Sequence, residues 1–271
     1  MMCWLFLCGV ACGVTTWLFG FGGGFVTVPL ISLLVTVVWG AQSDVGGQAM
    51  QIAVATSALV MLCTALLATR RHLRARTLCW HSLRMMLAGI ALGGIAGALL
   101  ALSVNGGWIR GLFVGYLLVT ILDCYLRPGF MAPIVQRRAP IASRELMSGG
   151  VIGLIASFLG VGGSVMTVPL MRRRGATMSE AAAMANLLTL PLAAGASGTW
   201  LVMAWVSPGH LPTGFMGHIW LSATALLVAG SWLGLRLAAR WLGRLPDRWH
   251  ARVYPLLLVA VLLVMSLQGL R

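Results

Sequence analysis

Two stretches of this sequence are near copies of each other: FGFGGGFVTVPL at residues 19–30 and LGVGGSVMTVPL at residues 159–170. Seven of the twelve aligned positions are identical at a constant offset of 140 residues. Self-similarity of this kind indicates an internal duplication. We therefore predict two repeats, residues 1–128 and 144–271, joined by a basic cytoplasmic linker at 129–143.

The composition places both repeats in a membrane. Hydrophobic residues make up 59% of the chain and charged residues only 9%, against roughly 25% charged in an ordinary soluble domain. Too few polar residues remain to cover a water-facing surface, so the exterior must face lipid. Apolar runs of about twenty residues can cross a bilayer as helices, and we expect such spans near 46–69, 81–103, 108–126, 179–206, 214–238 and 253–270.

The two copied stretches interrupt longer apolar runs at 2–39 and 146–171. Each run is predicted to form a helix, a tight glycine turn and a second helix that returns to the side from which the first one entered. Each repeat then contains one glycine-broken helix hairpin followed by three transmembrane helices.

The arginines indicate how the repeats are oriented. All 19 basic residues are arginine, against five acids, and they cluster between the apolar runs. This pattern is typical of cytoplasmic loops rather than of a nucleic-acid surface, so nucleic acid is not expected as a partner. The loop at 70–76 is basic while its counterpart at 206–213 carries no arginine, which places equivalent loops on opposite faces. The prediction is an all-α polytopic membrane protein of two inverted repeats.

The glycine turns are the strongest candidate for a binding site. Glycine permits positive φ and close approach of a ligand to main-chain N–H groups, and a helix that begins within the membrane directs its first N–H groups and its positive dipole end at that ligand. Two such N-termini, expected at Phe25 and Val165, would bind an anion without a basic side chain. Pro29 and Pro169 are expected about one turn into these helices, where a missing N–H is tolerated.

Small polar residues extend the predicted substrate site. The threonines that follow each turn by a few residues can donate hydroxyl hydrogen bonds, and Asn186 carries an amide that one local carbonyl cannot satisfy. For the serines and threonines, a bond to the carbonyl four residues earlier is the competing interpretation. The full set of predicted substrate-binding residues is Gly22, Gly23, Gly24, Thr27, Thr56, Ser57, Gly162, Gly163, Ser164, Thr167 and Asn186. No cofactor or metal is expected.

The duplicated motifs resemble those of the TauE/SafE sulfite exporter family, also called the toluene sulfonate uptake permeases. The resemblance rests on GFGGGFVTVPLISLL (20–34), GVGGSVMTVPLM (160–171) and the helices containing Ala55-Thr56-Ser57 and Ala185-Asn186. It implies transport of sulfite or of sulfur-containing or carboxylate organic anions across the bacterial inner membrane. The sequence departs from the family pattern at Ser164, which replaces a glycine, and at Asn186-Leu187, which stand where the first repeat has Thr56-Ser57.

Other residues support weaker hypotheses. The repeat-related His81 and His218 are candidate proton carriers, although interfacial histidines are ordinary. Asp123 is expected to form an i,i+4 ion pair with Arg127. The lack of a paired ionisable catalytic motif such as HExxH argues against an intramembrane enzyme. An anion channel of the same fold and a non-transporting assembly protein remain alternatives, and the sequence leaves open homo-oligomerisation and the coupling ion, the proton included.

Overall fold

The computed structural model describes residues 2–74, 84–127, 129–131, 142–206, 211–239 and 246–269. The helices of the first half are α1 (Met2–Phe19), α2 (Gly24–Trp39), α3 (Asp44–Gly47), α4 (Ala49–Arg74), α5 (Arg84–Ser103) and α6 (Gly106–Leu126). Those of the second half are α7 (Ala142–Leu159), α8 (Ser164–Arg173), α9 (Met178–Val206), α10 (Leu221–Ala238) and α11 (Asp247–Gly269). Strands β1 (Phe215–Met216) and β2 (Ile219–Trp220) pair antiparallel.

Seven of these helices are long and apolar enough to cross a membrane: α1, α4, α5, α6, α9, α10 and α11. The chain is therefore a multi-pass, all-α membrane protein, as predicted. The helices that follow the glycine turns are shorter, 16 residues in α2 and 10 residues in α8. The division into repeats and their inversion are addressed as proposals below, and most of the linker at 129–143 lies outside the described residues.

The span expected near 214–238 begins later than predicted. Residues 215–220 form the β hairpin, and α10 starts at Leu221. Gly214 and Gly217 adopt positive φ of 103° and 55°, a conformation that bends the chain into turns and interrupts a helix. The apolar side chains in this segment, which made it look like a membrane span, instead pack inward: Ile219 and Trp220 are buried.

The first helix of each half packs on a helix of the other half. A Cβ built on Gly9 of α1 would lie 2.6 Å from Leu227 O of α10. One built on Gly13 would collide with Ser231 O, and this contact is four residues further along both helices. The two helices therefore run parallel in contact. Helices α5 and α7 pack in the same way, with Gly153 facing Ile90 O at 2.5 Å. Small residues permit this close backbone approach between membrane helices.

Helix packing also explains two glycines in the later helices of each half. A side chain on Gly93 would collide with Gly150 O of α7, and one on Gly230 would collide with Phe6 O of α1. Both contacts join the two halves. Gly93 and Gly230 therefore serve as helix-packing positions.

Three consecutive arginines at the end of α8 hold four elements together. Arg172, fully buried, forms an ion pair with Asp247 of α11 at 2.9 Å and donates to Phe130 O and Ala176 O. Arg173 pairs with Asp123 of α6, and Arg174 pairs with Glu145 of α7 at 2.7 Å. The predicted Arg127–Asp123 pair is confirmed at 3.4 Å. The three arginines of the run thus pair with three different carboxylates, and Asp123 also pairs with Arg127.

Candidate functional site

The two glycine turns adopt left-handed backbone conformations. In the first turn Gly20, Gly22 and Gly23 have φ of 74°, 64° and 86°. In the second turn Gly160 and Gly162 have φ of 70° and 72°. Residues with a Cβ rarely adopt this conformation, so the turns require glycine at these positions. Because α1 and α7 cannot continue through such residues, the chain reverses there and α2 and α8 begin.

The second turn differs from the first at its last residue. Gly163 has φ of −67°, an ordinary right-handed value, whereas its counterpart Gly23 is left-handed. The nearest atom to a Cβ built on Gly163 is Ile152 Cγ2 at 3.4 Å, an ordinary contact. The predicted need for glycine at position 163 is therefore corrected: the conformational constraint in this turn falls on Gly162 and Gly160.

The two turns meet inside the protein. A Cβ built on Gly24 would lie 2.6 Å from Gly160 O, and one built on Gly162 would lie 3.4 Å from Phe21 O. Residues about 140 positions apart in sequence are thus in backbone contact. Phe21 and Val161, which occupy equivalent positions in the two turns, are fully buried. The two glycine turns therefore lie together in the interior of the protein.

Helix α4 contacts both turns through side chains on one face. The Ser57 hydroxyl donates to Gly160 O of the second turn at 2.9 Å, and the Thr64 hydroxyl donates to Gly22 O of the first turn at 2.6 Å. The two residues are seven positions apart, which corresponds to about 10 Å of helix. Met61, midway along this face, lies against Gly24 and Gly162. The Ser57 hydroxyl is therefore bonded to the glycine turn of the other half, and its contact with a substrate stays a prediction.

Helix α9 runs past the same turns in the reverse order. Its Ala182 O lies 2.8 Å from a Cβ built on Gly20, and Leu192 is next to Gly163, so the first turn precedes the second along α9. Along α4 the second turn comes first, at Ser57. The two helices, which occupy equivalent positions in the repeat, therefore run in opposite directions across the site.

The N-termini of α2 and α8 lack side-chain caps. Neither Gly23 nor Gly163 offers a side chain to accept from the first N–H groups, and neither helix carries an acid in its first turn. The first N–H groups of any helix have no partner within the helix itself. A buried N-terminus without a side-chain cap creates positive potential without a formal charge, and two of them begin at turns that contact each other. Positive potential of this kind is suited to an anion.

Three buried polar atoms near these N-termini have no hydrogen-bond partner within the part of the chain that the structure describes. They are Ser164 Oγ, Thr167 Oγ1 and Asn186 Oδ1, on residues that are fully buried. Asn186 Nδ2 donates to Thr16 O at 3.0 Å, which fixes the amide orientation and leaves its oxygen as the unsatisfied atom. Unsatisfied buried polar groups are costly and are frequently ligand contacts.

The equivalent threonines differ. Thr27 donates to Gly23 O at 2.7 Å, the local bond that competes with ligand contact, and lies 3.6 Å from Cys12 Sγ. In the second half Ile152 stands where Cys12 stands in the first. Both threonines are the fourth residue of their helices, because α2 begins at Gly24 and α8 at Ser164, one residue before the predicted N-termini. Only Thr167 is left with an unused hydroxyl.

Thr56, a predicted substrate-binding residue, is bonded to the β hairpin. Its hydroxyl accepts a hydrogen bond from the N–H of Trp220, at the start of α10, at 3.0 Å. Trp220 in turn packs at right angles on Trp39 and stacks on Phe215. The hairpin therefore contacts α4 at Thr56, about two helical turns before Thr64.

The prolines in the second helices occur deeper than predicted. Pro29 and Pro169 are each the sixth residue of their helix, so the carbonyl four residues earlier loses its N–H partner. For Pro169 that carbonyl is Val165 O, and it accepts the hydroxyl of buried Tyr254 at 3.2 Å. A tyrosine of α11 thus substitutes for the missing backbone donor.

Only one of the two candidate proton carriers lies among the described residues. His81 lies outside the described residues. His218 lies in the hairpin turn between β1 and β2 with its ring 5.3 Å from that of Trp200, and burial lowers its pKa. His218 therefore favours the neutral form, and its role in coupling stays a hypothesis.

The predicted set of site residues omits five residues that form or contact the turns. Thr64 and Met61 hold or face the turns from α4, and Thr189 of α9 lies against Gly22 and Gly162. Gly20 and Gly160 begin the turns with positive φ. The signal for the α4 residues was present, since Ser57, Met61 and Thr64 recur at helical spacing on one face.

These features define a class of protein: a polytopic membrane protein whose broken helices meet in the interior. A family model described as "Sulfite exporter TauE/SafE" matches residues 5–266. The chain belongs to this family of membrane transporters.

Named relatives agree with this assignment. A "Probable membrane transporter protein" of Haemophilus influenzae is 26% identical over 99% of this chain and all of its own. "Probable membrane transporter protein YunE" of Bacillus subtilis is 27% identical over 87% of this chain and 86% of its own. The archaeal relative "Probable membrane transporter protein MJ0441" of Methanocaldococcus jannaschii is 21% identical over 62% of this chain and 60% of its own. No solved structure matches the chain.

Proposed function

We propose that this protein is a secondary transporter that binds a small anion at its two glycine turns and moves it across the bacterial inner membrane. Sulfite, a sulfonate or another small organic anion is the proposed substrate. The observation that carries the proposal is the contact between the two buried glycine turns, from which α2 and α8 begin at Gly24 and Ser164 without side-chain caps. The family description names sulfite, and the names of the relatives state only transport.

Backbone N–H groups are suited to an oxyanion that must also be released. They supply several hydrogen bonds and the positive ends of two dipoles, but no formal charge that would hold the anion tightly. The free hydroxyls of Ser164 and Thr167 can add donors to the oxygens of a sulfite or sulfonate group. Asn186 Oδ1 accepts, and therefore fits a water or a protonated oxygen of the substrate.

The proposed mechanism uses two inverted repeats. The opposite directions of α4 and α9 support inversion, and so does the bare counterpart of the arginine-rich loop at 70–76. Broken helices at the interface of inverted repeats form the substrate sites of many secondary transporters, which rock one part against the other to expose the site to each side in turn. Full burial of both turns corresponds to the state in which the substrate site is closed to both sides of the membrane.

Flux into proteoliposomes tests the function. Purified protein is reconstituted, and uptake of sulfite, small sulfonates and small carboxylates is measured with and without the unlabelled anion inside the vesicles. We expect uptake of at least one of these anions. Unlabelled anion inside the vesicles should accelerate this uptake, because the substrate site of a carrier returns to the outside faster when it is occupied. Flux without such acceleration would indicate a channel, and absence of flux across the whole panel would contradict the proposal.

A further inference from the structure

A second feature of the protein lies on its outer surface, away from the glycine turns. A groove of about 480 Å³ runs between α1, α4 and α10. Its lining is apolar throughout and consists of Phe6, Leu67, Val228, Ala229, Trp232 and Leu233. Trp232 is 42% exposed, so the groove is open to the surroundings of the bundle rather than to its core. Its volume lies within the roughly 300–1,000 Å³ of typical ligand sites.

Two arginines lie at one end of this groove. Arg236 is one helical turn beyond Trp232 on α10, and its guanidinium carbon is 3.6 Å from the centre of the Trp232 ring. Arg71 is one turn beyond Leu67 on α4, and its Nη1 donates to Leu235 O of α10 at 2.7 Å. Both wall helices therefore carry a positive charge about 6 Å further along than their groove residues.

The position of this charge corresponds to the level of lipid headgroups. Arg236 lies two residues before the end of α10, and Arg71 lies three residues before the end of α4. Helices α4 and α10 run in the same direction here, because Thr56 meets Trp220 near their beginnings and Arg71 meets Leu235 near their ends. The apolar part of the groove then lies at the depth of acyl chains and the arginines lie at the membrane surface.

We propose that this groove binds an anionic phospholipid, with one acyl chain on the apolar lining and the phosphate beside Arg236 and Arg71. An apolar channel alone would not distinguish lipids, and an arginine pair alone would attract any anion. Together they select a molecule that has a chain and a negative headgroup. Basic pockets between transmembrane helices are suited to such headgroups. Arg236 is the specificity residue, since it is exposed and held over Trp232 by a cation–π contact.

Native mass spectrometry of the purified full-length protein tests this site, with phosphatidylglycerol and phosphatidylcholine of identical chains as probes. We expect the wild type to retain phosphatidylglycerol in preference to phosphatidylcholine. Arg236→Gln should weaken phosphatidylglycerol binding about fivefold, the effect of one basic residue near a headgroup. The matched control Arg252→Gln removes an exposed arginine from α11, outside the groove, and should leave retention unchanged.

A second variant tests the groove itself. Ala229→Trp places a bulky ring on an exposed lining position and should reduce retention of both lipids. Thermal unfolding in the same detergent shows whether Ala229→Trp is folded. If Ala229→Trp is not folded, Arg236→Gln alone tests the site. Equal retention of the two lipids by the wild type, or an equal effect of Arg236→Gln and Arg252→Gln, would overturn the proposal. So would a stable dimer that Ala229→Trp separates, because the groove would then hold a second copy.

Discussion

The residues that follow the second glycine turn show how α8 tolerates a proline. Pro169 removes an N–H from the second turn of the helix, and the Tyr254 hydroxyl donates to the carbonyl that loses it. We predict that Tyr254→Phe destabilises the protein by about 1–3 kcal/mol, because it leaves Val165 O buried without that donor. Thermal or denaturant unfolding in detergent measures this change. Tyr125→Phe, on an exposed tyrosine, is the control and should be nearly neutral.

The two repeat-related threonines provide a matched test of ligand contact. The Thr167 hydroxyl is buried without a partner, whereas the Thr27 hydroxyl is bonded to Gly23 O. We predict that Thr167→Val lowers substrate affinity about fivefold to tenfold while leaving stability unchanged or slightly higher, since it removes an unsatisfied polar group. Thr27→Val should lower affinity less and stability more. A binding assay combined with unfolding separates these effects, and unchanged affinity in Thr167→Val would remove this hydroxyl from the site.

The motif could reveal which residues form the turns but not which backbone conformation each one adopts. The copies match at Gly23 and Gly163, yet only Gly23 is left-handed. Such a difference depends on neighbours such as Thr64 and Ile152, which come from other elements. The partners of Thr56 and Ser57 were equally inaccessible, because they lie 164 and 103 residues away.

At the scale of elements, the arginine run at 172–174 has a structural role that a count of charges did not reveal. Clustered arginines between apolar runs indicate the cytoplasmic side, but they do not indicate which residues they contact. In the structure each of the three arginines reaches a different helix, and Arg172 is fully buried. The pairing requires knowledge of which helix ends meet, and no local pattern contains that information.

The Arg172–Asp247 pair gives a prediction for this cluster. Asp247→Asn keeps the side-chain shape and an oxygen for the N–H of Met178, but leaves the buried guanidinium without its counter-charge. We expect a loss of about 1–3 kcal/mol, below the ~3–5 kcal/mol of fully buried pairs because Asp247 is 38% exposed. Unfolding in detergent provides the measurement. Asp44→Asn, at an exposed acid, is the control, and equal effects of the two substitutions would contradict a role for the pair.

The helices themselves could be predicted well from hydropathy because a membrane span must satisfy its own backbone hydrogen bonds. The exception is the segment at 214–220, where two glycines with positive φ interrupt an apolar run. Hydropathy does not distinguish a span from an apolar hairpin that folds back into the protein, since both bury the same side chains.

At the scale of the whole molecule, the duplication predicts topology. If the halves are inverted, the arginine-rich stretch at 70–76, where α4 ends, is cytoplasmic and the stretch at 206–213 is periplasmic. Single cysteines at Arg70 and Thr213, both exposed, report the two sides after the native cysteines are removed. We expect an impermeant maleimide applied to intact cells to label the cysteine at 213 and not the one at 70. Labelling of both from the same side would contradict the inverted-repeat proposal.

The interlocked packing of the halves could not be predicted from the repeat alone. The copied motifs show that two units exist, but the pairing of α1 with α10 and of α5 with α7 crosses between them. Glycines at spacing of four in all four helices indicate close contacts without identifying partners. The groove beside α1 and α10 results from this exchange, because its walls come from both halves.

Two adjacent substitutions test whether an anion binds where the two glycine turns meet. An alanine at 162 is forced into φ of 72° and approaches Met61 and Phe21, whereas an alanine at 163 fits a right-handed conformation with ordinary contacts. The strain at 162 is about 1 kcal/mol or more and displaces the N–H groups of α8.

The measurement is substrate flux in proteoliposomes matched for protein content, using the best anion from the panel. We predict that Gly163→Ala retains most of the wild-type flux and that Gly162→Ala loses at least tenfold, with both variants inserted and folded. Equal flux in Gly162→Ala and the wild type, at unchanged substrate affinity, would contradict anion binding at the glycine turns and show that the anion binds elsewhere.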